Sequence, residues 1–440
     1  MKSVFYFAVI LSTAAANIAA QSSDTGAAKK VIITNSLPPA TKIVQKPTPT
    51  PKQILVIGDD ADNGGSRPVR DRIVIGNAPK TDATEPERTI TKKQNRTANV
   101  KEPLSFREIK EKLAEAKRDM SARPIMIAST EGPVGGELVR VAFFDWKHDR
   151  LDYVVFTKEA FLSTKEEKVT TSQNGLTLRS RTIRGNGVNT PITLVDEDGD
   201  SHVPLMVQYP VVRDGKYIET SYYISTHPGL VTPEVVNAGR FYVHNVIEIA
   251  REKLQSHGIF IQPKVADIAE RLATVEHVDH ARFRNEYQPN IYNDIFTLFA
   301  LNEGNTYRYS VSSAGAGGMV QMIPSTYRMV RAQYPQAGLD PRFVEGMRDH
   351  VNAAKAMLLY MQWTWNDLLA RPTIADALSS GIATQEQLMA AGYNSNPARL
   401  SGYISRAGAD WPTLIPRETK IYLQIFESVE KNVPMTPRTR

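Results

Sequence analysis

Residues 291–326 read IYNDIFTLFALNEGNTYRYSVSSAGAGGMVQMIPST, and their first part carries a helical pattern. The apolar residues of this part recur at helical spacing: Ile295, Leu298, Phe299 and Leu301. This spacing predicts a buried helix with Glu303 at its C-terminal end. Burial and the partial negative charge of a helix C-terminus both favour the neutral form of a carboxyl group. The pattern therefore predicts that Glu303 is a buried proton donor.

A run of small residues follows the predicted helix. Residues 312–318 read SSAGAGG, and small residues let the backbone approach a bulky ligand closely. The next stretch, MVQMIPST at 319–326, is typical of the start of another helix. A loop rich in Gly and Ala is more often only a tight connection between helices, so composition alone leaves both interpretations open.

The spacing of particular residues adds information. The chain resembles the soluble lytic transglycosylases of the lysozyme-like superfamily at Glu303, Ser312, Gly315-Ala316, Gly318-Met319-Val320-Gln321 and Pro324-Ser325-Thr326. Two later stretches resemble further family motifs in the same order: AGYNSNP at 391–397 and ETKIY at 418–422. One departure bears on the acid, since Gly304 stands where the family usually has Ser. The resemblance covers about a quarter of the chain.

The resemblance implies a helical, lysozyme-like domain over residues 229–435 and a reaction that uses one carboxyl group. Glu303 would protonate the oxygen that joins N-acetylmuramic acid to N-acetylglucosamine, and would then deprotonate the muramoyl C6 hydroxyl as a 1,6-anhydro ring closes. The family needs no metal and no cofactor. The positions that match its glycan-binding residues are Ser312, Gly318, Met319, Gln321, Tyr393, Asn394, Glu418 and Tyr422.

Two other functions fit the same residues. A non-catalytic wall-binding or secretion-associated scaffold could keep the cleft without turnover, and Gly304 leaves this alternative open. A muramidase, which is a hydrolase, would need a second carboxylate that the sequence does not identify. We also considered a metal site at Glu276, His277 and His280, but the order EHVDH matches neither HExxH nor HxxEH, so we expect no metal.

The first 103 residues have the composition of an export signal followed by a tether. Residues 1–20 combine a lysine, the apolar run FYFAVIL and a small-residue end, which predicts a cleavable signal peptide and a periplasmic or secreted protein. Residues 21–103 are rich in Pro, Thr and Lys without the periodicity of a core, which predicts a disordered tether. No later segment is long and apolar enough to span a membrane, and the chain has no cysteine.

The remaining chain is predicted to be an α+β protein, with a β-rich module at 104–228 before the helical domain. Ser105 and Glu108 form a capping box that predicts a helix start. Strands are predicted after it at 125–129, 137–145, 152–157, 176–183, 192–196, 203–212 and 217–224, with a hairpin turn at 214–215. The acidic run at 196–200 lacks the spacing of a calcium loop, so we expect a solvated turn. Thr232 and Pro233 are placed as the N-cap and first residue of the next helix.

The net charge of +6 suits an anionic polymer such as peptidoglycan, although the charge alone fits nucleic acid equally well. The predicted export signal argues against a nucleic-acid partner. We therefore expect peptidoglycan strands as the partner of the helical domain. A cell-envelope protein could bind through residues 21–103 or through the β-rich module.

Overall fold

The computed structural model describes residues 104–123, 137–213 and 216–439. Within them the α+β fold is confirmed, because a β-rich part precedes a mostly helical part. The predicted signal peptide, the predicted tether, the expected strand at 125–129 and the expected turn at 214–215 lie outside the described residues. A search of the described residues finds no helix with the length and hydropathy that crossing a membrane requires.

The β-rich part is one antiparallel sheet of seven strands. Its strands are β1 (Leu138–Asp145), β2 (Arg150–Thr157), β3 (Lys168–Thr171), β4 (Thr177–Thr182), β5 (Ile192–Asp196), β6 (Ser201–Arg213) and β7 (Lys216–Tyr223). They are ordered β2-β1-β6-β5-β4-β3, and β7 also pairs with β6. The short strand β3 was not predicted, because KVTT carries too little apolar pattern. The long strand β6 is the centre of the sheet, since it pairs with three other strands.

Two helices accompany the sheet: α1 (Phe106–Ala122) and α2 (Lys158–Leu162). The predicted capping box is present at the start of α1, where Ser105 and Glu108 each accept a hydrogen bond from the other residue's backbone. The apolar side of α1 buries Ile109, Leu113 and Met120 in a cluster with β1, β6 and the end of a later helix. This packing fixes α1 against the sheet.

The helical part begins where the sequence predicts, with Thr232 as N-cap and Pro233 as the first helical residue. Its helices are α3 (Pro233–Ser256), α4 (Pro263–Val275), α5 (His280–Asn285), α6 (Gln288–Asn302), α7 (Pro324–Gln333), α8 (Phe343–Arg348), α9 (His350–Leu369), α10 (Pro372–Ser379), α11 (Gln385–Asn394), α12 (Leu400–Ala407) and α13 (Arg417–Asn432). Helices α6 and α9 are buried along most of their length and form the centre of this part.

The sheet and the helices share one hydrophobic core. A single buried cluster includes Phe143 and Tyr209 of the sheet together with Val243 of α3 and Phe296 of α6. Helices α3 and α6 touch at Gly239, where an added Cβ would lie 1.9 Å from the backbone oxygen of Phe296. Only glycine permits such a close approach of two helix backbones.

The acidic run between β5 and β6 forms a tight turn around one lysine. Lys147 Nζ lies 2.7 Å from the buried Asp196 carboxylate and 2.5 Å from that of Asp198. Burial alone would raise the pKa of Asp196, but the hydrogen bond from Lys147 and further bonds lower it to about 2. Across the described ranges no cluster of three or more His, Cys, Asp and Glu side chains has the arrangement of a metal site.

Candidate active site

Glu303 directly follows α6 and occupies its C-cap, as predicted for the end of this helix. Its backbone has φ 44° and ψ −125°, a conformation that side-chain-bearing residues rarely adopt. In the described part of the chain, the non-glycine residues with positive φ are Asp149, Glu303, Tyr307 and Gln321. Three of these four lie between residues 303 and 321. Strain of this kind costs on the order of 1–3 kcal/mol per residue and concentrates at functional sites.

The expected burial of the Glu303 side chain is wrong. The side chain is 56% exposed, and its Oε1 atom lies 2.6 Å from Nζ of Lys110 on α1. The prediction failed because the unusual backbone at the helix end turns Glu303 away from the apolar face of α6. The ammonium group of Lys110 therefore occupies one oxygen of the Glu303 carboxyl group.

Gly304 leaves open space beside the acid. A Cβ added at this position would meet only the hydroxyl of Tyr242, at 3.9 Å. A serine would therefore fit where the resembled family has one. The absence of that hydroxyl is a chemical difference from the family and not a steric requirement of this fold.

Strand β7 and the residue after it hold the end of α6 in place. The side-chain amide of Asn302 donates to the backbone oxygen of Ile224 at 2.7 Å, and its oxygen accepts from the Ile224 amide at 2.8 Å. The backbone amide of Tyr307 donates to the hydroxyl of Tyr223 at 3.4 Å. The sheet thus fixes the residues on both sides of Glu303.

The small-residue segment forms a compact loop, as the sequence predicts. Two isolated bridges, Val311 with Gly317 and Gly317 with Met322, fold the loop back on itself. The predicted second helix starts only at Pro324, within the stretch expected to begin it, because residues 319–321 are in turns and Met322 forms a bridge. The Ser312 hydroxyl accepts the backbone amide of Ala316 at 3.0 Å and so stabilises the loop.

Gly318 and Met319 shape this loop from the inside. Gly318 has φ +69°, and a Cβ there would lie 2.3 Å from the backbone oxygen of Met347, so only glycine fits. The Met319 side chain is fully buried, which makes it a core residue in this structure. Gln321 is strained, with φ 47°, and its side-chain amide donates to the backbone oxygen of Gly318 at 2.9 Å.

Two buried histidines bind backbone oxygens at the two ends of the segment that follows Glu303. The Nε2 atom of His277 donates to the backbone oxygen of Met319 at 2.7 Å, and the His277 ring stacks on Tyr307 with 3.4 Å between centroids. The Nε2 atom of His350 donates to the backbone oxygen of Thr306 at 2.7 Å. These contacts give His277 a structural role in place of the metal site that we rejected from the sequence.

These histidines predict a loss of stability in acid. Burial lowers the pKa of His350 to about 4 and that of His277 to about 3, below the ordinary value of 6.5. The unfolded chain therefore takes up protons first, and stability present above pH 6.5 is lost as the pH falls towards 4. Urea denaturation should show this decline, by at most about 1.4 kcal/mol per histidine per pH unit. His350→Gln should decline less steeply, and an equal slope in both proteins would contradict the assignment.

The later motifs meet around a different carboxyl group. Tyr393, in α11, donates to the backbone oxygen of Val320 at 2.7 Å. Tyr422, in α13, donates to Oε1 of Glu276 at 2.5 Å. Asn394 accepts a hydrogen bond from Thr419 at 2.8 Å and so joins α11 to α13, and Glu418 is exposed in the first turn of α13.

Glu276 is a residue that the sequence reasoning considered only as a metal ligand. It follows α4 directly, as the C-cap of that helix. Burial raises its pKa to about 8, which leaves the carboxyl group neutral at pH 7. The position of Glu276 directly after an amphipathic helix is visible in the sequence. Its contact with Tyr422 is not, because the two residues are 146 positions apart.

A cavity of about 390 Å³ lies between α3, α4, α13 and the residues that follow α13. Its described lining includes Phe241, Glu270 and Met435, and no predicted site residue is among it.

Comparisons with family models, curated proteins and solved structures found no match to the chain.

Proposed function

We propose that the chain is a peptidoglycan lytic transglycosylase, an enzyme that cleaves the bond between N-acetylmuramic acid and N-acetylglucosamine without water. The proposal is supported by the ordered motifs of the sequence and, above all, by the strained backbone of Glu303. A strained residue at a helix end, with its carboxylate in contact with solvent, is typical of a group that acts on a ligand. The fixed environment of Asn302 and Tyr307 keeps that residue in place.

In the proposed reaction one carboxyl group acts twice. Protonated Glu303 gives its proton to the glycosidic oxygen as the bond from the muramoyl C1 atom breaks. The C6 oxygen then bonds to C1, and the Glu303 carboxylate takes the proton of that hydroxyl. The two steps return Glu303 to its protonated form. The new bond between the C6 oxygen and C1 closes the 1,6-anhydro ring. In this proposal Gln321, whose side-chain amide donates to the backbone oxygen of Gly318, and the exposed part of the loop would supply polar groups to the glycan.

Lys110 opposes the first of these steps, because its ammonium group binds a carboxyl oxygen of Glu303 that would otherwise be free to contact the glycosidic oxygen. We expect Lys110→Met to raise the rate of cleavage at pH 7 by up to about fivefold, the equivalent of the ~0.2–1 kcal/mol of an exposed ion pair. The rate would be measured by release of soluble fragments from purified peptidoglycan. Lys117→Met, an exposed lysine on the same helix, is the matched control. A rate that falls to the same extent in both variants would contradict this role of Lys110.

The contact with Lys110 also favours the main alternative, a scaffold that binds the wall without cleaving it. Mass spectrometry of the products separates the three candidate functions. Anhydro ends support the transglycosylase, and reducing ends support a muramidase. Binding of purified peptidoglycan without any cleavage supports the scaffold.

We further propose that the protein acts in the periplasm or outside the cell, with peptidoglycan strands as its partner. The basis is the signal-like composition of residues 1–20 and the net charge of +6. Residues 21–103 or the sheet would bind a cell-envelope protein and set the place of action. No role for nucleic acid, a metal or a cofactor is part of the proposal.

A further inference from the structure

The end of α4 contacts the loop that carries Gln321 at consecutive backbone oxygens. His277, next to Glu276, donates to the oxygen of Met319 at 2.7 Å. Tyr393 donates to the oxygen of Val320 at 2.7 Å. Burial, with the negative charge of Glu276 as a further cause, raises the pKa of Tyr393 well above its ordinary value. Glu276 is therefore the chain neighbour of one group that holds residues 319–321 and is electrostatically coupled to the other.

Glu276 is also bound from the other side. The hydroxyl of Tyr422, a buried residue, lies 2.5 Å from its Oε1 atom, and part of Glu276 remains accessible to solvent. The titratable groups that face Glu276 are Tyr422 and Glu418 from α13, Tyr393 from α11 and the neighbouring His277. None of these four carries a positive charge at neutral pH, since burial lowers the pKa of His277 to about 3.

The protonation state of Glu276 follows from these neighbours. Burial raises its pKa to about 8, the charge of Glu418 adds to the increase, and the hydrogen bond from Tyr422 opposes it. A neutral carboxyl group accepts the hydrogen bond of Tyr422 without leaving an unpaired charge. An ionised one would be an uncompensated charge beside the loop, which is costly in a desolvated position.

We propose that Glu276 is a positioning residue for the segment Met319–Gln321: as a neutral acid it supports the packing of Tyr393 and Tyr422, and when it ionises the segment opens. The proposal differs from the role of Glu303 because Glu276 acts through the loop and not on the reacting atoms. Its consequence for cleavage rests on the proposed function, whereas its effect on the loop does not.

The pH dependence has a definite sign. The folded pKa of Glu276, about 8, is above the ordinary value of 4.5. Support of the segment is therefore complete below pH 4.5 and is lost as the pH rises towards 8, because the open form binds fewer protons than the closed form. Above pH 8 both forms are ionised, and opening no longer increases.

Hydrogen–deuterium exchange of the full chain tests this at the amides of residues 317–321, in the wild type and in Glu276→Gln. Glutamine keeps the shape and the acceptor for Tyr422 but cannot ionise. At equal pH, the exchange rate of the wild type divided by that of Glu276→Gln reports the opening of the segment, because the pH dependence of amide exchange itself cancels. We expect the ratio to rise by up to about tenfold per pH unit between pH 5 and 8, and then to level. A ratio that stays constant from pH 5 to 9 would overturn the proposal.

Tyr422→Phe provides a second variant with a distinct expectation. It removes the donor that favours the ionised carboxyl, so the rise in exchange should continue to a higher pH than in the wild type. This comparison decides the question even if Glu276→Gln does not fold. If exchange in Tyr422→Phe levels at the same pH as in the wild type, the result counts against the proposal.

Cleavage of purified peptidoglycan gives the functional readout. The rate of the wild type relative to Glu276→Gln should fall as the pH rises towards 8 and then level, while the two rates agree at lower pH. An unchanged relative rate would overturn the catalytic part of the proposal. If the wild type cleaves nothing, the proposed function fails, and the exchange ratio still decides the role of Glu276.

Discussion

Glu303→Gln is expected to abolish most cleavage of peptidoglycan while leaving the fold and glycan binding intact. The amide keeps the size of the side chain and an oxygen that can accept from Lys110, but it cannot deliver or take up the proton. Loss of a general acid typically costs ~10²–10⁴ in rate, and the same group serves both proposed steps. Anhydro products, measured by mass spectrometry, should therefore disappear from the variant within the time in which the wild type completes its reaction.

The matched control is Glu111→Gln, which removes an exposed carboxylate of α1 that pairs with Arg107. It changes the net charge by the same amount and should leave the rate unchanged. Equal activity of Glu303→Gln and the wild type would reject Glu303 as the acid. If neither protein cleaves and both bind peptidoglycan, the scaffold becomes the better proposal.

Gly239→Ala is expected to cause a large loss of stability in the helical part. The added methyl group would lie 1.9 Å from the oxygen of Phe296 and 2.6 Å from its carbonyl carbon. Both are backbone atoms of α6, so α3 and α6 must move apart. Overpacking typically costs 1–3 kcal/mol, and a backbone clash of this kind should reach about 3 kcal/mol or more. Urea denaturation measures the loss.

Gly402→Ala is the control for this substitution. Gly402 also lies in a helix, α12, but its added Cβ would meet only the end of the Arg406 side chain, at 3.5 Å. Alanine favours a helix over glycine by about 1 kcal/mol, so this variant should be as stable as the wild type or more stable. If Gly239→Ala behaves in the same way, the contact between α3 and α6 is not as close as described.

The helix boundaries could be predicted because the sequence patterns that mark them are local. The spacing of Ile295, Leu298 and Phe299 indicated a helix that ends at Glu303, and the structure ends α6 at Asn302. The capping residues Ser105 and Thr232 marked two helix starts correctly. Each of these signals depends on residues a few positions apart, which a single sequence displays directly.

The environment of the site could not be predicted in the same way. The pairing of Glu303 with Lys110 depends on a helix 193 residues earlier in the chain. The raised pKa of Glu276 depends on its burial by the folded chain, and the opposing hydrogen bond comes from Tyr422 in the last helix. No local pattern contains such contacts. The short stretch EHVDH therefore indicated candidate metal ligands, whereas the fold uses one of its histidines to hold the loop at Met319.

The core shared by the sheet and the helices constrains how such a protein can change by recombination. Phe143 and Tyr209 of the sheet pack in the same cluster as Phe296, and Ile224 binds the side chain of Asn302 next to Glu303. A gene crossover between residues 224 and 232 would join half of this core to an unrelated half. The two parts should therefore be inherited together, and a chain that carries the helical part should carry a matching sheet.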